Sequence, residues 1–123
     1  MDKAQAIHQF WSSFGLPAYD ENTVPNNAVM PYITYNVSTD ALDGILNLYA
    51  NLWYDSYSWK EITNKADEIA ETIGKNGFYS IKIDNGYLWM TLDSPFAQRM
   101  SEPGSDSIRR MFLMINAEFL TSY

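Results

Sequence analysis

The 123-residue sequence contains no cysteine, which removes disulfides, thiolate metal sites and cysteine nucleophiles together. Histidine occurs once, at His8, so any imidazole chemistry would have to start from that position. No stretch approaches the run of about 18 apolar residues that a membrane helix needs. The opening MDKAQAIHQFWSSFG also lacks a basic segment followed by an apolar one, the mark of an export signal. These absences predict a protein kept in the cytoplasm unless it is built into something larger. Basic residues are outnumbered, 8 against 15 acidic ones, for a net charge of -7. Such a surface repels phosphate backbones and anionic lipid, which disfavours a general nucleic-acid binder or a membrane binder. The six glycines are scattered, so neither a phosphate loop nor a dinucleotide fingerprint can be written.

Aromatic residues are abundant, with nine Tyr, six Phe and four Trp. Two readings stand for this surplus: a rich core, or contact surface that an obligate oligomer buries. The length fits one domain, residues 1–123, with one core.

Asp2 is placed to cap a first helix whose apolar side is Ile7, Phe10, Trp11 and Phe14, spaced as one helix face, with Gly15 and Pro17 stopping it. Residues 18–30 collect Asp, Asn and Pro without periodicity and read as an exposed connection. Pro31 opens a β-branched and aromatic strand through residues 32–37. After a turn at 40–44 comes ILNLYANLWYD, a second, longer strand in which Leu46, Leu48, Ala50 and Leu52 alternate with Asn47, Tyr49, Asn51 and Trp53. Ser58 and Glu61 have the spacing of a capping box, and behind them Trp59, Ile62, Ala66, Ile69 and Ile73 form one helix face. Glu61 stands four residues before Lys65 for a stabilising pair, and Gly74 or Gly77 ends the helix. Residues 78–83 and 87–92 alternate on either side of Asp84-Asn85-Gly86, which predicts a type I′ hairpin. A last strand runs over 109–119, with Met111, Leu113, Ile115, Ala117 and Phe119 on one face. The expected fold is α+β, in the order α-β-β-α-β-β-β: a mostly antiparallel sheet of about five strands with two helices packed on one face.

Chemistry finds little foothold. His8 has no partners legible at a defined spacing, Ser12 and Ser13 lack a nucleophile-elbow context, and Asp84 and Asp93 fall at opposite ends of a strand, roughly 20 Å apart at this rise per residue. No catalytic, cofactor-binding or metal-binding residue is therefore assigned, and the chain is expected not to be an enzyme and to need no cofactor. The acidic helix side, Asp67, Glu68 and Glu71, reads as a solvated face. One segment does call for a function: SPFAQRMSEPGSDSI, residues 94–108, is long for a hairpin connection, and such connections tend to be binding loops. All three arginines, Arg99, Arg109 and Arg110, lie in or beside it, and arginine favours bidentate contacts at interfaces. Local pairing with Glu102, Asp106 or Glu118 is the alternative use of that charge. The expected contact residues are Pro95, Phe96, Gln98, Arg99, Met100, Arg109 and Arg110.

Several strings occur together in order: Val24-Pro25 and Ala28, Pro31-Tyr32-Ile33-Thr34-Tyr35, Leu52-Trp53 with Ser56, Ala66-Asp67-Glu68-Ile69, Gly86-Tyr87-Leu88-Trp89, Pro95-Phe96-Ala97-Gln98, and Arg109-Arg110. In this arrangement the chain resembles, over nearly its whole length, the tail-terminator and tail-completion proteins of long-tailed bacteriophages, also described as minor capsid or head-tail joining proteins. The resemblance implies a structural virion protein in the tail or neck that assembles in the host cytoplasm. Its protomers would form a homo-oligomeric ring, commonly a hexamer, that terminates the tail tube and docks it to the head connector. The implied partners are further copies of the chain, the tail tube protein, the connector proteins, and transiting DNA held without sequence-specific binding; no membrane is involved. An acidic lumen would let DNA pass without sticking. A head-side joining protein and an unrelated small α+β ligand- or peptide-binding module are the alternatives.

Overall fold

The computed structural model describes residues 1–37 and 46–121; the turn expected at 40–44 lies outside them. In chain order the elements are α1 (Lys3–Ser12), β1 (Ala18–Asp20), β2 (Tyr32–Tyr35), β3 (Leu46–Asp55), α2 (Lys60–Gly74), β4 (Tyr79–Ile83), β5 (Gly86–Met100) and β6 (Ile108–Thr121). The strands form one sheet in the order β1-β2-β3-β6-β5-β4. All neighbours are antiparallel except β1 and β2, which run parallel. The α+β class and the two helices stand, and the strand count is six rather than about five.

Asp2 caps α1 reciprocally: the Gln5 amide donates to Asp2 Oδ1 at 2.8 Å and the Asp2 amide donates to Gln5 Oε1 at 2.9 Å. This satisfies two of the amides left orphaned at a helix start. Ala6, Ile7, Phe10 and Trp11 are its buried side, with Phe10 edge-on to Trp11 and Phe14. The helix touches both β1 and β4, at opposite ends of the sheet order. The sheet is therefore curled around α1.

Helix α2 buries Ile62, Ala66, Ile69 and Ile73 on the same side of the sheet, against β3, β4, β5 and β6. The strands answer with Ile33, Leu48, Leu52, Leu88, Met90, Leu113 and Ile115, each no more than 1% exposed. These side chains alternate along the strands, so one sheet face faces both helices and the other faces away from them.

Five local expectations are corrected. The Ser58–Glu61 capping box does not form: Trp59 is the N-cap with no side-chain cap bond, and Ser58 Oγ accepts from the Lys60 amide at 3.1 Å. Lys65 does not pair with Glu61; its ammonium donates to the Phe14 carbonyl at 2.8 Å and meets Glu68 at 3.3 Å, because it is drawn toward the end of α1. The β4–β5 turn is centred on Asp84 and Asn85, with Ile83 opposite Gly86. Among the described non-glycine residues only Asn85 has a positive φ, 66°, so the turn lacks the two left-handed residues of type I′. Finally, 94–108 is not a structureless connection: β5 continues to Met100 and β6 begins at Ile108. A register shift between Leu92 and Ala97 absorbs the Asp93-Ser94-Pro95-Phe96 break as a bulge. In the same way the connection 18–30 holds a strand at its start, β1.

Candidate contact surface on the distal hairpin

The outer half of the β5–β6 hairpin carries the seven expected contact residues; six of them divide among three places, and Arg99 lies over the Trp59 ring. Pro95, Phe96 and Gln98 line a hollow of about 160 Å³ beside the bulge, together with Phe112 and Met114. Met100 and Arg109 line a larger cleft of about 620 Å³ between the hairpin end and the entrance of α2, with Tyr57, Trp59, Glu102 and Asp106. Arg110 emerges on the face turned away from the helices, since its neighbour Met111 is buried on the helix side and strand side chains alternate.

Arg109 is held by the backbone. Its guanidinium donates to the Asp106 carbonyl at 2.8 Å and to the Tyr57 carbonyl at 2.9 Å, and lies 5.3 Å from the centre of the Trp59 ring. Arg99 lies 4.9 Å from the same ring. Two cations over one indole is an arrangement in which each gains from the ring quadrupole. Tyr57, 77% exposed, stands at the rim of the cleft. Arg110 takes the local pairing: its Nε donates to Glu102 at 2.5 Å and its Nη1 to Asn51 Oδ1 at 2.9 Å, and it sits 5.4 Å from the Trp53 ring. Arg99 has no hydrogen-bonding partner of its own among the described residues.

Arg110 ends a band of rings crossing the open sheet face. Trp53 meets Tyr32, and Tyr32 meets Tyr19 edge-on at 5.7 Å. Tyr49 meets Phe112 at 5.6 Å, and Trp89 stacks flat on Phe78 at 3.9 Å. Two polar tips on this face are occupied: the Trp53 indole N–H donates to Thr34 at 2.9 Å, and the Tyr49 hydroxyl donates to Glu21 at 2.7 Å. That bond to Glu21, followed by burial and the Glu21 charge, raises the Tyr49 pKa above its usual value. The result is a face of large rings of which the two central ones, Trp53 and Tyr49, have their polar groups satisfied. A surface of this kind can be covered by protein without stranding donors.

His8 has partners that its sequence neighbourhood did not reveal. Its Nδ1 lies 2.6 Å from the Tyr35 hydroxyl and its Nε2 lies 3.2 Å from Ser12 Oγ. A serine, an imidazole and a phenol in line are not equivalent to a catalytic triad, because the phenol brings no carboxylate charge to hold an imidazolium. The line ties α1 to β2. Tyr35 is buried, which, with Asp20 nearby, pushes its hydroxyl pKa up and keeps it a neutral hydrogen-bonding anchor. Among the described residues no three His, Asp or Glu side chains gather as a metal site, and no helix is long and apolar enough to cross a membrane.

The aromatic band and the Tyr57–Trp59 rim were missed at the level of sequence. The signal was present in the second phase of alternation, Tyr49-Asn51-Trp53 on β3 and Arg110-Phe112-Met114 on β6, which puts large rings where a solvated face would carry charge. No protein-family model, curated protein or solved structure matches the chain.

Proposed function

We propose that the chain is a structural virion protein of a long-tailed bacteriophage whose copies form a ring that ends the tail tube and joins it to the head connector. The observation that carries this reading is the open sheet face. Tyr32, Trp53, Tyr49, Phe112 and Met114 are only half-buried there, and neither helix covers them. Leaving so much aromatic surface wet makes sense in a protein that spends its working life covered by others. The ordered strings of the sequence point to which others: neighbouring copies, the tube and the connector. The distal hairpin cleft and the aromatic face are different patches, as the head-to-tail contacts of a ring require. The exposed carboxylates of α2, Asp67, Glu68 and Glu71, suit a lumen through which DNA slides without adhering.

The test is electron microscopy of lysates from a phage carrying an early stop codon in this gene. A terminator removes the site for the next ring of tube protein, so tubes grown past their normal length are expected. Free tails of normal length beside filled heads would move the protein to the head side of the joint. Normal virions would remove the proposed role altogether.

A further inference from the structure

Five strands of the sheet share one level that runs from edge to edge. Ala18 lies opposite Ile33, Ile33 opposite Leu52, Leu52 opposite Met111, and Met111 opposite Arg99. One step on, Tyr19, Thr34, Asn51, Phe112 and Gln98 form the next row, followed by Asp20, Tyr35, Ala50, Leu113 and Ala97. The two ends of these rows are strand edges with no partner strand among the described residues: β1 at residues 18–20, and β5 at residues 97–100, where β4 no longer reaches because it pairs only with residues 86–90.

The backbones at both ends are in phase. Pro17 O accepts from the Ile33 amide and the Glu21 amide donates to Tyr35 O, so Tyr19 turns its backbone to β2 while Ala18 and Asp20 turn theirs outward; the Asp20 carbonyl already accepts from the Thr23 amide at 2.9 Å, so the edge offers the Ala18 backbone groups and the Asp20 amide. At the other end the Ser56 amide donates to Ser107 O, which sets the odd residues of β6 toward β3 and the even ones toward β5. Gln98 and Met100 therefore exchange bonds with Phe112 and Arg110, leaving Ala97 and Arg99 facing outward. The bulge at 93–96, with a proline that has no N–H to donate, limits the free β5 edge to about the length of β1.

We infer that β5 of one copy adds at residues 97–100, antiparallel, to β1 of the next copy, so that the sheet continues from subunit to subunit. In this register Arg99 faces Ala18 and lies diagonal to Asp20, with both side chains on the helix side of the sheet. Their charges are complementary: among the described residues the Arg99 guanidinium has no hydrogen-bond acceptor, and Asp20 accepts from the Asn22 amide through one oxygen with no partner on the other. On the open face Gln98 meets Tyr19, which joins the aromatic bands of the two copies. The contact pairs two different edges, so it propagates head to tail and closes into a ring if the rotation permits. It takes from the proposed function only that copies of the chain associate.

The absence of cysteine makes the test direct. Directly opposite, non-hydrogen-bonded residues bring their Cβ atoms to about 4.5–5.5 Å, close enough for a disulfide after small adjustment. The double variant Tyr19→Cys with Gln98→Cys, treated with diamide at the highest soluble concentration, is expected to give a ladder of covalent oligomers. A mixture of the two single variants should give mainly dimers containing one of each. Tyr19→Cys with Ser80→Cys, which places the second thiol on β4, should give neither. Arg99→Asp or Asp20→Arg alone is expected to weaken association about tenfold or more, with the double reversal restoring it. No ladder from folded protein, a ladder equal to that of the Ser80 control, or no rescue by the double reversal overturns the contact. Rings seen by microscopy without the 19–98 cross-link would discard this contact and leave the virion role intact. A ladder from a protein whose loss leaves virions normal would do the reverse.

Discussion

The two faces of the sheet are made of the same strands and behave as different materials. On the helix side, Leu48, Leu52, Met111, Leu113 and Ile115 are at most 5% exposed, enclosed by α1, α2 and each other. On the opposite side, Tyr32, Trp53, Tyr49, Phe112 and Met114 alternate with them and retain access to water, although they are just as apolar. A sheet that needs only one sealed face to fold can carry charge on the other. This one carries rings, two of them, Trp53 and Tyr49, with their polar tips bonded within the chain. The helix face accounts for the fold. The open face adds little to folding that polar residues could not supply, and its composition is better explained by what covers it.

The largest effect expected from this contrast is on the sealed side. Leu52→Ala should cost about 2–5 kcal/mol, the transfer of the lost atoms plus the cavity they leave, measured as a fall in the urea midpoint at unchanged slope. A cost well under 1 kcal/mol would mean that the two faces are not so different. The next effect is a loss of stability at alkaline pH. Burial raises the pKa of Tyr35 and Tyr54 on the sealed side, with Asp20 adding to the first and Glu61 and Glu68 to the second, while the bond to Glu21 leads for Tyr49 on the open side. A pKa raised on folding favours the protonated form of the native state. The stabilisation is thus complete below the ordinary tyrosine value of 10.0 and is lost as pH rises through the elevated values. Melting temperatures from pH 8 upward check this, and Tyr54→Phe should flatten part of the decline. The smallest effect is that of Glu102→Gln on the open side. Glu102 and Arg110 are partly screened by solvent, so the loss should stay within about 1 kcal/mol.

The same contrast explains how much could be read in advance. Wherever a residue's burial is dictated by period, the sequence is legible: Ile62, Ala66, Ile69 and Ile73 for α2, and the apolar phase of β3 and β6. It is illegible where a neighbour in space decides. Ala18-Tyr19-Asp20 has no periodicity, and it becomes a strand because β2 runs beside it in parallel. Asp93-Ser94-Pro95 reads as the end of a strand, yet β6 continues alongside and the chain bulges and resumes pairing. The Ser58–Glu61 spacing suggests a cap, but Trp59 takes that position and lies beneath Arg99 and Arg109. Of the proposed contact surface, the arginines and the residues beside the bulge were singled out from the length of segment 94–108 and its share of the arginines. The aromatic band they adjoin required the strand register.

The central claim is that the open face serves contact with other proteins and not stability, and a double variant separates the two directly. Trp53→Ser with Phe112→Ser removes the middle of the aromatic band while leaving every side chain of the helix face in place. The measurement is plaque formation when this variant is supplied to a phage with a stop codon in the gene, alongside circular dichroism and urea unfolding of the purified protein. The account expects a cooperatively folded protein that gives no plaques. A folded variant that restores plaques to the level of the unaltered protein would contradict it.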